Sequence, residues 1–213
     1  MFEIIVNFKA YREGYGNHGR ELLNNLCNLK KEGYQVSFAV PFTELYLSRE
    51  FKGIISQHVD PYSTGAHTGS ILMEQLIEYG INASLLNHSE RRLNRDIILE
   101  SIKFSESLNF KLYICSESLP ETIFLCENGA KYVAYEPPEL IGGDVSVSTS
   151  KPDIIRESSD ICKSYGTKLL VGAGVKNSSD VSISRTLGAE GILVSSGIVK
   201  SKSPEDSLNS LMI

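Results

Sequence analysis

Short runs of apolar, largely β-branched or aromatic residues alternate along the chain with longer segments whose apolar positions recur every three or four residues. The short runs predict strands at Glu3–Asn7, Gln35–Val40, Ile54–Val59, Ala83–Asn87, Lys111–Cys115, Tyr132–Tyr135, Lys168–Val171 and Gly191–Ser195. Their apolar character is continuous rather than alternating, as for strands covered on both faces. Between them, the stripes Leu22, Leu26, Leu29 and Leu72, Leu76, Tyr79 predict helices. Further helices are expected over Asn94–Leu108, Leu119–Asn128, Ile154–Tyr165 and Ser178–Leu187, with a short last one starting near Pro204. Gly33, Gly80, Gly129, Gly166 and Gly188 stand where helices should stop, the place of a left-handed C-terminal cap. Pro41–Phe51 is the weakest helical pattern.

Eight such units in 213 residues predict an α/β fold, a closed (β/α)₈ barrel occupying residues 1–213 as a single domain. An open doubly wound sheet is the alternative for a repeating βα pattern. It would bring a glycine fingerprint after the first strand, where this chain has Asn7-Phe8-Lys9-Ala10-Tyr11.

Composition narrows the function. A formal charge of −5, from 21 Lys+Arg against 26 Asp+Glu, argues against a nucleic-acid partner. It leaves room for an anionic substrate, since a pocket's field is set by a few nearby groups. The Met1-Phe2-Glu3 start lacks the pattern of a signal peptide, and no apolar run approaches the roughly 18–20 residues of a membrane helix. A cytoplasmic protein with no membrane partner is therefore expected. Cys27, Cys115, Cys126 and Cys162 are scattered, without the CxxC spacing of zinc or redox motifs, and read as buried reduced thiols. Neither metal nor cofactor is expected.

In a barrel of this kind the chemistry lies at the C-terminal ends of the strands. Strand one ends in Asn7-Phe8-Lys9, whose first and third residues share a face and can both point into the mouth. Strand four runs into His88-Ser89-Glu90-Arg91-Arg92. His88 falls where a helix is expected to begin, which would disfavour a charged imidazole, and Ser89 reads as that helix's cap. Glu90 and the arginines read equally as a solvated ion-pair cluster. Strand six ends in Glu136, and a carboxylate directly after an apolar strand should be desolvated into a better base. Pro137-Pro138 stiffen the start of the next loop and Gly142-Gly143 free its far end, the pattern of a lid. Strands seven and eight run into Gly172-Ala173-Gly174 and Ser195-Ser196-Gly197, small residues in the usual phosphate loops of such barrels.

Taken together, Asn7-Phe8-Lys9, Gly65-Ala66-His67-Thr68-Gly69, His88-Ser89-Glu90-Arg91-Arg92, Tyr135-Glu136-Pro137-Pro138, Gly172-Ala173-Gly174 and Ser195-Ser196-Gly197 resemble the triosephosphate isomerase family, in its short archaeal form. The resemblance spans the chain. It implies interconversion of dihydroxyacetone phosphate and glyceraldehyde 3-phosphate, a step of glycolysis and gluconeogenesis. By resemblance, Glu136 is the base, His88 polarises the carbonyl as neutral imidazole, and Lys9 stabilises negative charge. Asn7 and Phe8 would help hold the ligand, and Ile141, Gly142, Gly172, Gly174, Ser195 and Ser196 the phosphate. A homo-oligomer, dimer or tetramer, is also implied, with Thr68 near the partner's site. The chain departs from longer relatives in lacking Trp, in carrying Asp144 in the lid, and in having Gly174 for a serine. Another phosphosugar isomerase or lyase, or a catalytically silent phosphate-binding barrel, are the alternatives.

Overall fold

The computed structural model describes residues 1–137, 150 and 152–213. Its strands are β1 (Phe2–Asn7), β2 (Tyr34–Val40), β3 (Ile54–Ser56), β4 (Ala83–Leu86), β5 (Lys111–Ser116), β6 (Tyr132–Tyr135), β7 (Lys168–Val171) and β8 (Gly191–Val194). Each pairs in parallel with the next, and β1 also pairs with β8, so the sheet closes into a barrel with no free edge. The expected (β/α)₈ architecture is what the chain adopts.

Closure splits each strand's side chains between two apolar regions, which is why the strands read as unbroken apolar runs. Ile5, Ala39, Ile55, Leu85, Tyr113, Cys115, Ala134, Leu170 and Leu193 belong to one buried cluster that fills the barrel. Their strand neighbours, among them Ile4, Val6, Leu86, Ile114, Val133, Val171 and Ile192, join the larger cluster shared with the helices. The barrel filling carries a buried polar contact: the Tyr113 hydroxyl donates to the Glu3 carboxylate, and Glu3 is itself buried. Burial and that carboxylate hold the Tyr113 phenol firmly protonated.

The helices are α1 (Gly16–Leu26), α2 (Met73–Glu78), α3 (Arg95–Ser107), α4 (Leu119–Glu127), α5 (Pro152–Ser164), α6 (Ser178–Thr186), α7 (Ser196–Val199) and α8 (Pro204–Leu211). Caps place several starts: the Asn94 side chain accepts from Ile97 N–H, Ser118 from Glu121 N–H, and Asn177 forms a reciprocal pair with Asp180. The structure corrects three local expectations. The weak segment after Pro41 is a 3₁₀ helix, Phe42–Arg49, whose three-residue turn does not sustain an α-type stripe. Tyr79 does not continue the buried stripe of α2; it follows the helix end and is exposed. Gly33 has positive φ but sits in the turn before β2, well past the end of α1, so it caps no helix. Cys115, Cys126 and Cys162 are buried as expected, whereas Cys27 is only half-buried.

Tyr113→Phe should leave the buried Glu3 carboxylate without its hydroxyl donor. The expected outcome in urea or thermal unfolding is a loss of roughly 1–3 kcal/mol. An unchanged unfolding midpoint would show that the contact contributes nothing.

Candidate active site

The period-two alternation that fills the barrel also builds its mouth. Moving two residues on from interior positions Ile5, Ile55, Ala134, Leu170 and Leu193 gives Asn7, Gln57, Glu136, Gly172 and Ser195. Asn7, His88, Glu136 and Ser195 line one cavity together with Lys9, Tyr11, Gly174, Lys176, Ser196 and Gly197.

Lys9 is not a solvated lysine past a strand end. Its backbone is left-handed, φ 49°, and its N–H donates to Asn7 Oδ1 at 3.0 Å. Its side chain is 10% exposed, with Nζ 2.8 Å from Glu90 Oε1. Asn7 is buried, and its Oδ1 also accepts from Gln57 Nε2 at 3.2 Å. The same Gln57 amide nitrogen reaches the Lys9 and Ala39 carbonyls, each at 3.0 Å. The Ser195 hydroxyl donates to the Asn7 carbonyl at 2.7 Å, so this side chain is committed to the β1 end.

His88 is brought in by the turn after β4, and not by a helix start. Helix α3 begins at Arg95 with Asn94 as its cap, so Ser89 is not the expected cap. Asn87 holds the turn: it takes a left-handed φ of 58° and donates through Nδ2 to the Cys115 carbonyl and Glu121. Its Oδ1 accepts from Leu93 N–H. The arginine cluster is partly structural, because Arg92 grips Glu121 with both carboxylate oxygens at 2.6 and 2.7 Å. The His88 imidazole is pushed toward its neutral form chiefly by burial and then by the Lys9 charge, with Glu90 opposing. The expected neutrality therefore has a different origin from a helix terminus. Nδ1 accepts from Glu90 N–H at 3.2 Å, which leaves the ring proton on Nε2, facing the site.

Glu136 is 6% exposed, and among the described residues its Oε2 has no hydrogen-bond partner. That oxygen lies 3.6 Å from His88 Nε2. Burial raises the carboxyl to about 7, against the opposing pull of the Cys115 thiol and of Lys9. The group sits where it does because Gly172 has no side chain: a Cβ there would fall 2.4 Å from both Cγ and Oε1 of Glu136. Gly172 thus serves the carboxylate, and does not line the cavity wall where its expected phosphate contact would lie.

The other loop positions divide. Ala173 and Gly174, both left-handed at φ 66° and 75°, line the cavity with Val175, Lys176 and Ser195–Gly197. Phe8 does not; it is fully buried, its ring edge-on to Phe38 with centroids 6.1 Å apart. Ile141, Gly142 and Asp144, and the expected lid beyond Pro137, lie outside the described residues. Thr68 lies in an exposed loop before α2, in which Tyr62 and His67 stack and Thr64 donates to Glu74 of that helix. Gln57 lies outside the motifs, and Asn87, at the end of the expected fourth strand, is given no role by them. Gln57 could have been found by the same two-residue step that gives Asn7 and Glu136. Among the described residues no group of His, Cys, Asp and Glu is arranged to hold a metal, and no helix is long and apolar enough to cross a membrane.

Gly172→Ala isolates one contact, since the backbone there is not left-handed. The added methyl should displace the carboxylate and lower turnover on the order of 100-fold, with the fold intact by circular dichroism. Undiminished turnover would show that the position of Glu136 does not depend on this glycine.

Comparison with known proteins agrees with this geometry. A model of the family described as triosephosphate isomerase matches residues 2–211. The triosephosphate isomerase of Thermoplasma volcanium is 47% identical over 214 aligned positions, covering 100% of both chains. The proteins of that name from Methanobrevibacter smithii and Archaeoglobus fulgidus are each 36% identical. Those alignments cover 98% and 100% of this chain, and 96% and 97% of the relatives. By sequence and by fold, this chain belongs to the triosephosphate isomerase family.

Proposed function

We propose that the barrel interconverts dihydroxyacetone phosphate and D-glyceraldehyde 3-phosphate by carrying a proton between adjacent carbons through an enediolate. The observation that carries this assignment is the buried Glu136 oxygen, without a partner among the described residues, 3.6 Å from a neutral imidazole. Glu136 removes the proton from the carbon beside the carbonyl and returns it to the neighbouring carbon. Raised to about 7, the carboxylate is a far stronger base than an exposed glutamate, yet still ionises near neutral pH. His88 donates its Nε2 proton toward the substrate oxygens, which need a donor as negative charge moves onto them. Lys9, held at the mouth by Glu90, supplies the fixed positive charge that favours the enediolate.

The phosphate occupies the end of the cavity lined by Gly174 and Ser195–Gly197, held largely by backbone N–H groups, with Asn7 positioning the ligand. Phe8 supports this end from the core. No cofactor is required by proton transfer alone. The protein works as a cytoplasmic homo-oligomer, dimer or tetramer, with the exposed Gly65–Gly69 loop carrying Thr68 toward a neighbouring subunit's site.

A coupled assay of the purified protein on glyceraldehyde 3-phosphate tests the assignment. Turnover of both triose phosphates is expected; turnover of larger phosphosugars alone would overturn it. Glu136→Asp retracts the base by one methylene. It should lower kcat by orders of magnitude with little change in KM. A near-normal rate would remove Glu136 from the mechanism.

A further inference from the structure

Two of the four cysteines meet at a place the isomerase chemistry does not use. Cys126 lies one residue before the end of α4 and Cys162 two before the end of α5. Both are buried, at 3% and 1% exposure, and their sulfurs are 3.6 Å apart. They sit beside the beginnings of β6 and β7, where the Thr167 hydroxyl donates to the Ala130 carbonyl and Lys168 N–H to the Lys131 carbonyl. Glu136 follows the opposite end of β6. The pair is thus at the foot of the barrel and the site at its mouth.

We propose that Cys126 and Cys162 are an oxidisable pair, which a peroxide converts in the folded protein to a disulfide tying α4 to α5. A disulfide needs about 2.05 Å between sulfurs. The thiols must therefore close by about 1.5 Å, within reach of modest side-chain rotation. The two sulfurs are not equivalent. The two thiols face each other, either able to donate to the other; this contact lowers Cys126 against the opposing effect of burial, while Cys162 is driven up by the same contact and by burial. Cys126 is then the nucleophile and Cys162 the resolving thiol. Cys27 and Cys115 lack this arrangement of two facing thiols; burial raises both, to about 11 for Cys27.

The step balances without any group from the protein beyond the pair. The Cys126 thiolate attacks one peroxide oxygen, the O–O bond breaks, and the departing hydroxide takes a proton to become water. The resulting sulfenic acid is attacked at sulfur by Cys162. The S–O bond breaks, and a second water leaves with the Cys162 proton. The two thiols lose two electrons and hydrogen peroxide gains them. A water-sized oxidant suits a site closed to bulkier reagents.

The stretch of chain that the bond encloses sets its effect. Residues 126–162 contain β6 and Glu136, so the link would close a long loop of the unfolded chain around the strand that carries the base. Such a link limits the freedom of the unfolded state. Because the pair is remote from the mouth, oxidation stabilises the barrel without changing its site.

The test uses the purified full-length protein, folded and reduced, treated with a small molar excess of hydrogen peroxide. The expected product has lost two hydrogen atoms by intact mass. Non-reducing peptide mapping should join the peptides containing Cys126 and Cys162, and dithiothreitol should reverse the change. The thermal midpoint should rise by about 5–15 °C, with turnover within about two-fold of the reduced form. Cys126→Ser and Cys162→Ser should each abolish the mass loss, and Cys27→Ser should not. If either serine variant fails to fold, the wild-type peptide map decides alone. Oxygen addition without a cross-link, a cross-link through Cys27 or Cys115, or one formed only after unfolding would overturn the proposal. So would an unchanged midpoint or a turnover lost on oxidation.

Discussion

A carboxylate withdrawn from water with one oxygen left unpaired among the described residues is the constraint around which this barrel's mouth is arranged. Such a group is costly to keep ionised, so burial raises its proton affinity to about 7. Its folded value lies above the ordinary 4.5 of a glutamate. The buried acid therefore favours the folded state fully below about pH 4.5, and that contribution is lost as pH rises through 7. Near neutrality the protein thus holds a base under tension. Gly172 leaves it room, Lys9 offsets part of its charge, and a neutral His88 faces it without neutralising it.

These groups meet because of barrel closure. A strand that is apolar on both faces must send alternate side chains inward, and the first inward position beyond the packed filling has nothing left to pack against. That step turns Ile5 into Asn7, Ile55 into Gln57, Ala134 into Glu136 and Leu193 into Ser195. Two strand ends then bend sharply, at Lys9 and Asn87, in left-handed conformations that polar contacts hold in place. The hydrogen bonds that stabilise these bends also aim the lysine and the histidine.

Much of this was legible in the residues. Continuous apolar runs separated by helical spacing announced the parallel barrel, and their polar ends marked Asn7, Lys9, His88 and Glu136. What escaped depended on contacts between distant segments. Nothing local shows that Gln57 bridges Asn7, Lys9 and Ala39, or that Gly172 is small for the sake of Glu136. A helix start would make His88 neutral for a local reason, whereas the cause is burial beside Lys9. Phe8 shared a motif with two mouth residues, yet alternation turns it into the core. Scattered cysteines gave no hint that Cys126 and Cys162 lie side by side, because only helix packing brings residues 36 apart together.

If desolvation sets the basicity of Glu136, the titration of that one carboxyl must show it. Carbon-13 labelling of glutamate, with Glu136→Gln to identify the resonance, allows the side chain to be followed by NMR against pH in the unliganded protein. A midpoint near 7 is expected. A midpoint in the ordinary range near 4.5 would contradict the role given to burial, because the carboxylate would then be no more withdrawn from water than one on the surface.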